Sequence, residues 1–252
     1  MIELLRATSL SDVPHGFAGR RGGVSTGLHA GLNVGLGSAD DREAILRNRD
    51  LARDALLPGA ALVTVRQVHS ADVVTVSEPI DEADRPAADA MVTNRPGLIL
   101  GILTADCVPV LLADVKAGVV GAAHAGWKGA MAGVTDNTLV SMEKLGARRD
   151  QISAAIGPCI GRASYEVTSD FARHFEEQDA ENSRFFSAGR EGHCQFDIAA
   201  YVASRLANAG IGRVEMMDED TYSQADRFFS YRRSCHRNEA GYGRQISMIA
   251  VV

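Results

Sequence analysis

LILGILTADCVPVLLADVKAGVVGAAH, residues 98–124, is the stretch that decides the fold. It holds three apolar runs, 98–104, 108–113 and 118–123, interrupted by Asp106 and by the polar turn that begins at Asp114. Apolar throughout, they read as strands buried on both faces. Two of the runs lead to a residue able to bind a soft metal, Cys107 after the first and His124 after the third. ALVTVRQVH, residues 61–69, ends in the same way at His69. Strands carry distant positions to one edge of a sheet, so two imidazoles and a thiolate can converge without a local ligand motif. Three protein ligands leave one position of a tetrahedral zinc open, the mark of a catalytic rather than a structural site. Taken singly, each residue has a plainer reading: a satisfied histidine or a small buried thiol.

Working outward, strand-like runs lie at 61–68, 71–77 and 89–93 on one side and at 152–156, 213–217 and 246–251 on the other. A helix is expected over 38–57, capped by Ser38, with Asp40 and Asp41 at its positive start and Pro58-Gly59 at its end. Further helices are expected over 134–145, closed by Gly146, over 169–178, and over 198–209, where Asp197 can cap. Strands grouped in the middle with helices on either side give an α+β class, mixed sheets covered by helices, not an alternating doubly wound fold. No repeat or Pro/Gly/Ser-rich linker divides the chain, so residues 1–252 are expected to form one domain.

The composition narrows the function. A hydrophobic fraction of 46% supplies a substantial core. The net charge is -6, with both signs interleaved, which argues against a general nucleic-acid or membrane-surface binder. Local basic pairs at Arg20-Arg21, Arg47/Arg49 and Arg232-Arg233 suit a small anion better. The N-terminus lacks signal-peptide character and no transmembrane span is seen, so a cytoplasmic protein is expected. The four cysteines, Cys107, Cys159, Cys194 and Cys235, form no CxxC pair and are expected to be reduced.

GAAHAGWKGAMAGV, residues 121–134, is small nearly everywhere except at His124, Trp127 and Lys128, a pattern that lets backbone approach either a packed neighbour or a ligand. Lys128 is thereby a candidate for holding substrate or phosphate. GPCIGRASYEV places Cys159 in a turn, where a buried thiol is the preferred reading. RFFSYRR, residues 227–233, could stack aromatics on a purine and fork arginines onto phosphate, but an edge strand accounts for the same letters and is preferred from the pattern.

In order along the chain, AGLNVGLGSADDREAILRNR, RQVHSADV, TADCVPVLLAD, GAAHAGWKGAMAGV, AIGPCIGRASYEV and RFFSYRR strongly resemble the YfiH family, also called the laccase-domain or multicopper polyphenol oxidase family. The resemblance runs from about His15 to Ile249. It implies an α/β/β/α layering and a metal site made by His69, Cys107 and His124, holding zinc, with copper as the other candidate. It further implies purine nucleoside phosphorylase activity on adenosine, inosine, guanosine and methylthioadenosine, with adenosine deaminase activity besides. Asn33, Arg47 and Arg49 become candidates for holding phosphate or ribose. Two departures stand out: Asp220-Thr221-Tyr222 where many members carry CTY, and a long SCHRNEAGYG stretch, in which Cys235 and His236 are expected on a solvated loop.

A laccase needs a copper cluster held by many histidines, whereas this chain has seven His and no His-x-His. The His-x-Glu and Pro-Cys-x-x-Cys elements of zinc nucleobase deaminases are also missing. Asp106 suits an acid/base role only if its strand has already ended, because neighbouring strand residues face opposite ways. Phosphorolysis of purine nucleosides leads. Behind it stand a cysteine hydrolase or deamidase with Cys107 as nucleophile and His124 as base, a copper-dependent polyphenol oxidase, and a metal or nucleoside sensor without turnover. Oligomeric state is left open.

Overall fold

The structure, a computed structural model, describes residues 2–251. Two large sheets lie face to face. The first has five strands in the order β1 (Leu4–Leu5), β2 (His15–Ala18), β14 (Gln245–Ala250), β6 (Leu98–Thr104) and β3 (Ala61–Val63). The second has six, in the order β13 (Arg213–Met216), β9 (Ser153–Ile156), β7 (Val108–Asp114), β8 (Val119–Ala125), β5 (Ala90–Thr93) and β4 (Val73–Thr75). Both mix parallel and antiparallel pairs: β3 runs parallel to β6, while β7 and β8 pair antiparallel with Pro109 opposite His124.

The alternation of side chains explains why the central runs are apolar throughout. On β6, Leu98, Leu100 and Ile102 point between the sheets, where they meet Leu111, Val120, Met91 and Phe17. Ile99 points the other way, into a cluster with Ile246, Met248 and Ala52 of helix α1 (Arg42–Leu56). On the far side of the second sheet, where the short helix α2 (Trp127–Ala132) leads into α3 (Val134–Lys144), Val110 and Leu112 join Leu139 and Met142 of α3 and Val202 and Leu206 of α5 (Ile198–Asn208). These three clusters are the spaces between four layers, α/β/β/α, as the resemblance implied. A small third sheet, β10 (Glu166–Thr168), β12 (His193–Phe196) and β11 (Phe186–Ala188), packs with α4 (Ser169–Gln178) through Phe171, Phe175, Phe186 and Phe196.

Several boundaries differ from expectation for local reasons. α1 starts later than 38 because Asp41 caps it, its carboxylate accepting from Glu43 N at 2.8 Å and Ala44 N at 3.2 Å. Ser38 instead donates to Gly35 O at 2.7 Å. The run 61–68 keeps strand form only to Val63, and His69 takes a left-handed φ of 62°. His124 lies within β8 rather than after it. RFFSYRR is not an edge strand: Ser230 caps a short helix α6 (Tyr231–His236), and Arg233 is buried with its guanidinium donating to Thr221 O, Tyr222 O and Phe228 O. Cys235 and His236 therefore sit on that helix and not on a loop, with His236 Nδ1 2.8 Å from Tyr222 Oη.

Three connections that pass from one sheet to the other supply the centre of the molecule's functional geometry. The first, between β3 and β4, carries His69; the second, between β6 and β7, carries Asp106 and Cys107; the third, between β13 and β14, carries Tyr231, Arg232 and Arg244.

Candidate metal centre and cleft

A strand cannot cross between facing sheets without a sharp bend. Residues 105–107 make that bend, with Asp106 at φ 85°. β6 has ended at Thr104, so Asp106 and Cys107 are free of strand alternation. Cys107 then sits beside His124, which the adjacent strand β8 brings to the same end of the sheet. His69 arrives from the β3–β4 crossing. Cys107 Sγ is 3.8 Å from His69 Nε2, the two imidazole rings are 4.8 Å apart at 77°, and one ligand atom from each of the three residues lies within 4.8 Å of the others.

Asp89, which sequence reasoning passed over, organises this cluster. It is fully buried just before β5, and one carboxylate oxygen lies 2.7 Å from His124 Nδ1. The carboxylate also accepts from the backbone N–H groups of Val68 (3.1 Å), His69 (2.9 Å) and Ser70 (2.6 Å). One side chain thus fixes the left-handed bend that presents His69 and orients His124 with Nε2 toward the cluster. Burial pushes the Asp89 carboxyl up, but His124 and the Ser70 and Val68 N–H groups outweigh it and hold the group well below its usual value. Burial also raises the Cys107 thiol, yet the neighbouring His124 and His69 bring it down; His124, opposed by burial, is raised by Cys107 and Asp89.

The donor set fits a soft or borderline divalent metal: two imidazoles, one thiol inclined to ionise, and a carboxylate behind one ring. The space fits as well. A Cβ on Gly126 would fall 2.6 Å from His69 Cδ2 and 3.2 Å from Cys107 Sγ, so the small-residue pattern here serves the close approach of backbone to the cluster.

Above His69 and Cys107 lies a cavity of about 450 Å³, with Trp127, Ile160, Tyr165 and Ile198 as apolar walls and Lys128 and Arg232 among its polar groups. Arg232 is held across the Tyr165 ring at 5.3 Å, its Nη1 donating to Glu166 O at 2.7 Å. Asp106 lines the cavity, but both its oxygens are engaged: Thr221 Oγ1 donates at 2.7 Å, Ser230 Oγ at 2.9 Å and Arg232 N at 2.6 Å. Burial raises its carboxyl against those bonds. Cys159 is buried, as expected, and burial pushes its thiol far up.

The remaining candidates lie elsewhere. Asn33 is fully buried and its amide ties Ser38 and Asp40 to Gly35 N and Arg244 N. Arg47 is exposed on α1. Arg49 is half-buried, donating to Thr64 Oγ1 at 3.0 Å. Neither cavity that touches the cluster is lined by these three. Lys128 and Asp106 are the expected polar residues that do face it. Asp89 left no signal beyond an aspartate inside the apolar run AADAMV.

A protein of two facing mixed sheets covered by helices, with a His-Cys-His cluster where two inter-sheet crossings meet the end of β8, is the class that this geometry defines. The chain belongs to the multi-copper polyphenol oxidoreductase laccase family, whose model matches residues 14–252. It is 42% identical over 235 residues to a Deinococcus radiodurans protein named purine nucleoside phosphorylase, covering 92% of this chain and 88% of that one. A Streptomyces coelicolor protein of the same name is 40% identical over 219 residues, 86% of this chain and 89% of that one. Among solved structures, Neisseria meningitidis protein NMB0706 matches with a TM-score of 0.89 at 32% identity, covering 99% of this chain and 98% of that one. Bacillus licheniformis hypothetical protein YfiH matches with a TM-score of 0.85 at 30% identity, covering all of this chain and 96% of that one. Among the described residues no helix is long and apolar enough to cross a membrane.

Proposed function

We propose that the chain is a purine nucleoside phosphorylase acting over His69, Cys107 and His124, with adenosine, inosine, guanosine and methylthioadenosine as its substrate class and zinc as its metal. The observation that carries this reading is the placement of His69 and Cys107 on the floor of a cavity with aromatic walls, with His124 completing the cluster beside them. The cavity's volume, about 450 Å³, is in the range of small-molecule sites. The names of the relatives point the same way.

In the reaction a phosphate oxygen bonds to the anomeric carbon while the bond to the purine nitrogen breaks. The electron pair leaves with the base, which takes up a proton. A bound metal would supply a Lewis acid at the floor of the cavity. The chain's own residues do the positioning. Trp127 and Tyr165 provide faces for the purine, Lys128 adds positive charge at the wall, and the apolar side chains of Ile160 and Ile198 exclude water. Asp106, with both oxygens already bonded, holds the turn that presents Cys107. Four-electron oxygen reduction fits poorly, because the three residues are the one candidate metal-binding group among the described residues.

The test is product analysis by mass spectrometry after zinc-loaded protein meets adenosine with and without phosphate. Adenine and ribose 1-phosphate are expected only with phosphate, and inosine in both would add deamination. His124→Ala is expected to abolish turnover with the fold retained; an active variant would sink the assignment. The proximity of Cys107 and His124 favours a second reading, a cysteine hydrolase. Rapid alkylation of Cys107 in metal-loaded protein, where a coordinated thiolate should be shielded, would support it.

A further inference from the structure

The same floor opens on a second hollow of about 600 Å³ whose charge is one-sided. Arg66, Arg85 and Arg244 line it, and no aspartate or glutamate does. Arg85 donates to Glu82 O at 3.0 Å and Arg244 to Tyr242 Oη at 2.9 Å, which leaves each guanidinium with further donors. The carboxylate of Glu82 is taken by Arg42 at 3.0 and 3.1 Å. Three cations without acidic partners repel one another, and an anion between them relieves that repulsion.

A second, independent feature marks the place. Thr104 ends β6 at 2% exposure, lines the hollow, and its Oγ1 has no hydrogen-bond partner. A buried hydroxyl left unpaired is costly, so a ligand oxygen is its natural complement. Gly35 also contributes: a Cβ there would lie 3.2 Å from Arg244 Nη1, so glycine lets the guanidinium rest against the backbone. His69, Ala105, Cys107 and Tyr231 line both this hollow and the aromatic cavity.

The geometry points to this hollow as the site of inorganic phosphate, held by Arg66, Arg85, Arg244 and Thr104 Oγ1. The inference rests on the phosphorolysis reading for its choice of anion. It moves phosphate recognition away from Asn33 and Arg49, which brace the fold instead of lining the hollow, and from Arg47, which is exposed on α1. Phosphate enters from the cationic side and the nucleoside from the aromatic side, meeting over the shared residues. The attacking oxygen bonds to the anomeric carbon, the purine departs with the electron pair of the broken bond, and the arginines neutralise the charge on phosphate.

The experiment measures binding of inorganic phosphate to the metal-loaded protein by titration calorimetry, without turnover, for wild type, Arg66→Ala, Arg244→Ala and Thr104→Val, with thermal melts of each. Each arginine variant is expected to weaken phosphate about tenfold or more, and Thr104→Val to weaken it with no loss of melting temperature. Variants that bind phosphate as wild type does, in an enzyme with phosphate-dependent turnover, would place the site elsewhere and overturn this inference alone. Arginine-dependent phosphate binding in a protein that never consumes phosphate would uphold the site and overturn phosphorolysis. Adenosine 5′-monophosphate is the second probe. If it binds more tightly than phosphate or adenosine does alone, and loses that affinity in the same variants, the phosphoryl group recognised belongs to a nucleotide and the assignment to free phosphate fails.

Discussion

Asp89 shows how much of a site can depend on a residue that never meets the substrate. Its carboxylate accepts three successive backbone N–H groups around His69 and engages His124 Nδ1, so two of the three candidate ligands answer to one side chain. Asp89→Asn keeps the shape but replaces one acceptor oxygen with a donor that cannot serve the same N–H groups. Metal affinity is expected to fall about 10–100-fold, as for other partners that orient ligating histidines. Competition with a chelating dye measures it, and an unchanged affinity would remove Asp89 from this role. The aspartate was not legible in the sequence because a carboxylate in an apolar run carries no periodicity and no spacing. Its meaning comes from partners around 20 and 35 positions away in the chain.

The turns that close the cleft are pinned by specific contacts at the scale of elements. Gly157 follows β9 and lies against the ring of Phe17, which fills the space between the sheets; a Cβ there would overlap that ring. Gly157→Ala is expected to destabilise by about 2 kcal/mol or more, in line with overpacking costs. Urea unfolding would show this, whereas an unchanged midpoint would mean that the turn yields freely. Asp220 joins two turns, accepting from Gly161 N at 2.9 Å, Tyr222 N at 2.9 Å and Ser164 Oγ at 2.6 Å. Burial raises its carboxyl, but Ser164, Gly161 and Tyr222 outweigh this and lower it. A carboxyl lowered on folding adds stability above its unfolded value, about 4, and that stability is lost as pH falls through the lower folded value. The acid limb of melting temperature against pH is therefore expected to be shallower in Asp220→Asn than in wild type. An identical slope would show that the carboxylate carries no such linkage.

The site belongs to the whole molecule, because its candidate ligands come from two separate crossings between the sheets and from strand β8. A metal that binds only this folded arrangement stabilises it by mass action, about 2.7 kcal/mol at a free concentration one hundred times the dissociation constant. Removing metal with a chelator is expected to lower the melting temperature and abolish turnover, and zinc to restore both. A melting temperature indifferent to chelation and reloading would argue that the cluster holds no metal. Two cavities meeting at the cluster, one aromatic and one cationic, likewise exist only when both sheets and the long β13–β14 connection are in place.

The division between sequence and structure follows from range. Residues 98–124 announced buried strands because burial on both faces leaves a mark on every successive residue, and α3, α4 and α5 were legible for the analogous reason of helical periodicity. His69, Cys107 and His124 could be singled out by residue type and by their place after apolar runs, and ordered motifs supplied the family. RFFSYRR misled because its aromatics and arginines suit a strand as well as a capped helix, and only the carbonyls waiting for Arg233 decide between them. Arg66, Arg85, Arg244 and Thr104 bear no local pattern at all, since they come from two inter-sheet crossings, the β4–β5 connection and a strand end. Local chemistry determined the elements and the candidate metal-binding residue types; which side chains share a cavity was decided by the packing of one sheet on another, a relation between positions far apart in the chain.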